Sequence, residues 1–211
     1  MSNSVAIVTG ASSGIGQATA LRLARDFGAI VLAARSGEKL AEVGAVAGVD
    51  VFEMTDEQWN TGMELKFHGA RRLTIHAWEA LKESKGAVVF ISGNAAVIPK
   101  AGSAAVGAIN AAIEALAKAF AERGIEDGVQ VNSVSPGAIM TGRRLSMLEE
   151  AAASKKITLE EAKRQFLKQA GIARFGEAEE IADVMAFVVS PAARWMTGTV
   201  LRMDGGEVKS V

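Results

Sequence analysis

The chain contains no cysteine and no tyrosine, and only two histidines, His68 and His76, in 211 residues. Without cysteine there is no disulfide framework, no thiolate metal site and no cysteine nucleophile. His68 and His76 lie eight apart on one helical pattern without the acidic company a metal centre needs, so no metal site is expected. An excess of one charge is also missing: Lys plus Arg is 23, Asp plus Glu is 24, and the formal net charge is -1. A near-neutral chain has no bulk attraction for nucleic acid or anionic lipid. No uninterrupted apolar run approaches the roughly 18 residues of a membrane span. The first residues carry no basic run ahead of the apolar Val5-Ala-Ile-Val8, so no secretory signal is read there and the expected location is cytoplasmic. What is abundant is apolar surface, 49% of residues, with 22% charged, which suits a globular domain.

Short β-branched runs alternate with helical patterns, the arrangement of a parallel sheet with crossover helices. Val5 to Val8 reads as a buried strand, and Gln17 to Phe27 as a helix stopped by Gly28. Ala29 to Ala33 is the next strand, and Glu38 to Val43 begins another helix. Residues 44–54 read as a loop with a brief strand. Thr55, with Glu57 and Gln58 behind it, caps a helix reaching about Ser84, which Lys85-Gly86 ends. Ala87 to Ile91 is predicted as a strand, Ser103 to Arg123 as an alanine-rich helix, and Val129 to Val134 as a strand stopping at Pro136. Leu145 to Ala170 reads as one or two amphipathic helices, Glu177 to Val189 as a helix, and Thr199 to Met203 as the last strand. No linker or internal repeat divides the chain, so residues 1–211 are expected to form a single α/β domain.

Between the first strand and first helix lies Thr9-Gly-Ala-Ser-Ser-Gly-Ile-Gly16. Glycines there permit a tight turn and close approach, while the helix start offers unpaired N–H groups and the positive end of its dipole to a phosphate. In this context the turn resembles the cofactor turn of the short-chain dehydrogenase/reductase family, which binds NAD(H) or NADP(H) on a Rossmann-like, doubly wound parallel sheet. Phe90-Ile-Ser92, Val131 to Thr141, Glu179 to Asp183 and Thr197 to Gly206 resemble further blocks of that family in the same order. The resemblance implies that Gly10, Ser12, Ser13, Gly14, Ile15 and Gly16 hold the cofactor phosphates. It also implies that Pro136, Gly137, Ile139 and Thr141 hold the nicotinamide side. Ala34-Arg35 stands where an acid would grip the ribose of NAD, so NADP(H) is favoured over NAD(H), with Arg35 on the 2′-phosphate. The family likeness of the helices at 55–84 and 103–123 further implies a homodimer or homotetramer.

Two departures follow. The family uses a tyrosine as proton donor and a lysine one turn later, but here Val106 and Asn110 occupy those positions. Lys66 falls where the family carries an asparagine. Lys66 and Asn110 are therefore read as a compensated exchange, keeping one ammonium and one amide near the ribose. The alternative is a surface lysine and a polar core residue. Ser92 is retained and is expected to orient a substrate carbonyl. The expected activity is slow hydride transfer on a small carbonyl or alcohol, with catalytic candidates Ser92, Lys66 and Asn110. A non-catalytic cofactor-binding or scaffold protein is the alternative, and a non-redox use of the pocket a third. The second departure is length. About forty residues of the doubly wound pattern, the region of its third and fourth strands, have no counterpart between Val43 and Gly44. Either the sheet closes differently, a partner covers the gap, or residues of the natural chain are absent from this one. The Arg143-Arg144 pair is read as a solvated loop pair, with an acidic substrate as the other reading.

Overall fold

The computed structural model describes residues 4–33 and 49–209. The helix predicted at Glu38 to Val43, the start of the loop at 44–54, the gap after Val43, and Arg35 lie outside them. Contacts gather the described residues into two compact units, each built from segments distant in sequence. One comprises 4–33, 137–186 and 203–209; the other comprises 49–136 and 187–202.

In the first unit, β1 (Val5–Thr9) pairs in parallel with β2 (Ala29–Ala33), Val5 opposite Ala29 and Thr9 opposite Ala33. Parallel neighbours need a crossover, and α1 (Gly14–Leu23) supplies it. This helix starts three residues earlier than its apolar stripe suggests and ends sooner. Asp26 and Phe27 both donate backbone N–H groups to the Leu23 carbonyl, tightening the last turn before Gly28. The stretch read as one or two helices is two, α5 (Gly142–Lys155) and α6 (Leu159–Ala170), separated at Lys156 in a left-handed conformation. They close over a cluster of Ala138, Leu148, Ile172 and Phe175, joined by Met140, Phe166 and Leu167. Helix α7 (Ala178–Val188) follows.

The second unit centres on β4 (Gln130–Pro136), buried along its whole length. It pairs in parallel with β3 (Ala87–Ile91) on one side, and β5 (Val200–Met203) lies on the other. Helix α4 (Ala104–Asp127) packs Ile113, Ala117 and Ala121 against Phe90, Val129 and Val131. Its alanines and Gly124 allow that close packing, and Phe120 stacks on Phe90 with centroids 6.1 Å apart. This helix is long and apolar enough to cross a membrane by composition alone, and Ile113, Ala117 and Ala121 on it line this core.

The stretch capped by Thr55 is α2 (Asp56–Gly62), a π-helical turn (Met63–His68) and α3 (Gly69–Ser84) in succession. The capping box forms as its sequence predicts, Thr55 accepting from the Gln58 N–H and the Gln58 side chain accepting from the Thr55 N–H. Residues 49–54 form turns and no strand. The described strands form two separate sheets, β1-β2 and β3-β4-β5. Among the described residues β1 pairs with β2 alone, and Val5, Ile7, Val31 and Leu32 remain exposed.

Candidate active site

The glycine turn shows why its residues are what they are. Gly10 has φ +68° and Gly14 φ +53°, left-handed values that other residues adopt only at a cost. Gly16 has a different reason. A Cβ placed there would sit 2.2 Å from the Gly10 carbonyl oxygen, so the start of α1 is folded directly onto the turn. Ser13 is the N-cap of α1 and makes no side-chain capping bond, which leaves its hydroxyl and the first N–H groups of the helix available to a phosphate. Ser12 and Ser13 are exposed, and Ile15 is half-buried.

The segment after β4 is brought to this turn. A Cβ on Gly14 would lie 3.2 Å from the Thr141 methyl. Thr141 in turn caps α5, its hydroxyl accepting the Arg144 N–H at 3.3 Å. Ile139 is buried and bridges Gly176 in parallel, Met140 donating to the Gly176 carbonyl at 2.8 Å and Gly176 to that of Ala138 at 3.0 Å. Gly137 donates to the Met203 carbonyl at 3.0 Å. Pro136 ends β4, buried. A cavity of about 310 Å³ lies behind this segment, lined by Ile139, Arg174, Glu180 and Asp204 among others, and it contains no other candidate cofactor residue.

Arg174 and Glu180 brace that wall with two charge-assisted bonds of 2.7 Å, and Glu180 also accepts the Glu177 N–H at 2.8 Å. These bonds, the arginine's first, pull the Glu180 carboxyl down to about 2. A carboxylate held below its unfolded value of 4.5 contributes stability that is complete above pH 4.5 and disappears as pH falls through about 2. Urea melts should therefore show a stability difference between wild type and Glu180→Gln that is constant above pH 5 and vanishes near pH 2. A difference that does not change over that range would contradict the pairing.

In the second unit, Lys66, Ser92 and Asn110 do come together. They are supplied by the π-helical turn, the residue after β3, and α4. The Lys66 ammonium donates to Asn110 Oδ1 and, at 3.2 Å, to the Ser92 carbonyl. Asn110 is buried, and Val106, one turn earlier on α4, is half-buried. A surface position for Lys66 is thereby excluded. Ser92 has a protein partner that its expected role does not include. The residue is 5% exposed, and its hydroxyl donates its single proton to Glu114 Oε1 at 2.6 Å. In this arrangement the proton is committed to the protein and is not presented to a carbonyl. Gly93 follows, and a Cβ there would stand 3.0 Å from Asn110 Nδ2.

Glu114 and the widened turn at 63–68 are the two features that sequence reasoning misses. Glu114 stands one helical turn after Asn110, and that i, i+4 spacing is the signal that could have placed it on the same face. A π-helical turn leaves no mark in hydrophobic spacing, though such turns are frequent at functional sites.

Two family models match the chain: one described as enoyl-(acyl carrier protein) reductase over residues 40–207, and one described as short chain dehydrogenase over residues 4–50. The uncharacterised oxidoreductase YvaG of Bacillus subtilis is 27% identical, with 98% of this chain and 96% of that protein covered. The 3-oxoacyl-[acyl-carrier-protein] reductase FabG of Pseudomonas aeruginosa is 28% identical, with 96% of each covered. The YvaG alignment runs over 254 positions, 43 more than the 211 residues present here, so it spans residues without counterpart in this chain. Among solved structures, L-sorbose reductase from Gluconobacter frateurii, complexed with NADPH and L-sorbose, superimposes with a TM-score of 0.88. It shares 26% identity and covers 100% of this chain and 98% of its own.

Proposed function

Because the chain belongs to the short-chain dehydrogenase/reductase family, we propose that it binds NADP(H) and acts as a slow oxidoreductase on a carbonyl or alcohol. The observation that carries this reading is the glycine turn, where Gly16 lies against the Gly10 carbonyl and α1 begins without a side-chain cap. Gly10, Ser12, Ser13, Gly14, Ile15 and Gly16 would hold the cofactor phosphates. Pro136, Gly137, Ile139, Thr141 and Asn110 would hold the nicotinamide and its ribose. The NADPH bound by the Gluconobacter relative supports the choice of cofactor. When bound, NADP(H) supplies or accepts the hydride.

The chain's own residues then have limited means. Lys66 fixes the Asn110 amide and offers a positive charge near the reacting oxygen. Ser92 acts as a positioning residue: its carbonyl holds Lys66 and its hydroxyl holds Glu114. Val106 has no proton to give, so water or the substrate must provide it, and turnover is slow for want of a positioned acid. The second reading, a cofactor-binding scaffold without turnover, draws on that same aliphatic side chain and on the Ser92 proton committed to Glu114.

Cofactor choice is tested by titrating wild type and Arg35→Ala with NADPH and NADH. NADPH should bind more tightly, and the substitution should remove about 1–3 kcal/mol of that preference, the scale of a charge-assisted contact. Equal affinities, unchanged in the variant, would defeat the assignment.

The reading also includes a homodimer or homotetramer formed through α3 and α4. Leu73 and Ile75 on α3 and Ala108, Ala111 and Ala115 on α4 are exposed, small or apolar, and able to admit a second helix closely. Light scattering at micromolar concentration should give twice or four times 22.0 kDa, and a monomer mass would contradict it.

A further inference from the structure

Arg144 stands in the first turn of α5, directly after Thr141, whose methyl lies against the glycine turn. Arg143 and Arg144 place two cations at the positive end of this helix, and no acidic residue occupies its first turn. A helix start alone selects no ligand; the guanidinium is the telling group. It is half-buried, 4.9 Å above the Phe166 ring, and among the described residues it makes no hydrogen bond and no ion pair. Arg22 and Arg174 of the same unit, by contrast, are matched, Arg22 by Asp26 and Asp183 and Arg174 by Glu180. Burial pulls the Arg144 pKa below its ordinary value, Glu207 opposes that pull without reaching ion-pair distance, and Arg143 adds to it. A partly dehydrated fork of five donors with no acceptor is costly to maintain unless an anion completes it.

On the proposed reading, the phosphates of the cofactor are met by the N–H groups of α1, which leaves the Arg144 fork for a separate oxyanion. We infer that Arg144 binds a carboxylate or phosphate carried by the substrate, so that the substrate class is an anionic carbonyl or alcohol compound. This inference rests on the proposed oxidoreductase reading for the identity of the ligand, but its contact geometry belongs to Arg144 alone. The planar fork suits either oxyanion in a bidentate arrangement. The Phe166 ring holds the guanidinium plane and would present it ready-made.

The test uses matched pairs: acetoacetate against methyl acetoacetate, and dihydroxyacetone phosphate against dihydroxyacetone. Each is titrated by calorimetry into the protein with and without NADPH. The charged member of at least one pair should bind tenfold or more tightly than its neutral partner. Arg144→Gln should abolish that preference while leaving NADPH affinity within twofold, and Arg144→Lys, which keeps the charge but not the fork, should retain a part of it. No preference in wild type, or a preference unchanged in both variants, overturns the inference. A loss confined to NADPH affinity also overturns it, by assigning the guanidinium to the cofactor. If NADPH fails to bind while an Arg144-dependent anion preference persists, the inference stands and the cofactor reading falls.

Discussion

Val106→Tyr combined with Asn110→Lys and Lys66→Asn should raise NADPH-dependent ketone reduction by about 10²–10⁴-fold, the usual contribution of a positioned general acid. Val106→Tyr alone should gain less than tenfold, because the Lys66 ammonium is already engaged by Asn110 Oδ1 and the Ser92 carbonyl instead of holding the ribose and lowering the pKa of the phenol. The instructive variant is the double, Val106→Tyr with Asn110→Lys. The Lys66 ammonium already donates to the side chain at position 110, so a lysine there brings two cations within bonding distance. Like charges so close cannot both remain protonated without cost, and one is displaced or neutralised. The double variant should therefore fall at least tenfold short of the triple, although it restores both residues of the family pair. Loss of NADPH absorbance with a small ketone panel measures all three. A double variant equal to the triple would mean that Lys66 does not act on position 110.

Gly16→Ala should abolish cofactor binding and destabilise the first unit together. The added carbon would meet the Gly10 carbonyl oxygen at 2.2 Å and its carbon at 2.6 Å, both backbone atoms that no rotamer change can move. Forcing the turn away from α1 should cost about 1–3 kcal/mol of stability, as overpacking does. It also pulls the uncapped N–H groups away from the phosphates they are placed to meet, so NADPH affinity should fall by more than tenfold. Gln17→Ala, exposed one residue further along the helix, is the control and should leave both quantities near wild type. Thermal melts and NADPH titration that make Gly16→Ala resemble the control would remove the turn from the account.

The sequence is most informative where structure is local. The glycine turn, the Thr55–Gln58 capping box and the strands flanking α4 all follow from neighbours within a few residues, and the structure forms them. The exchange of Lys66 and Asn110 concerns residues 44 apart. Periodicity could not show it; the register of a family resemblance suggested it, and the Lys66–Asn110 hydrogen bond puts the two side chains in contact. The commitment of the Ser92 proton was not legible, because a serine at the end of a strand does not reveal which carboxylate the next helix will bring. The π-helical turn was hidden for a similar reason: its residues keep helix-like spacing while the backbone widens. Nor do short-range patterns disclose two units, each assembled from segments distant in sequence. Arg144 illustrates the same limit, since a basic pair reads as solvated until the ring of Phe166 is seen beneath it.

The most direct measurement follows bound NADPH by fluorescence while a ketone panel is added in excess to the wild-type protein. The account predicts saturable NADPH binding, followed by a signal that decays only very slowly after ketone addition, because the glycine turn is intact while position 106 holds a valine. Rapid loss of the bound NADPH would show a proton donor that Val106, Ser92 and Lys66 do not explain, and failure of NADPH to bind would contradict the account at its base.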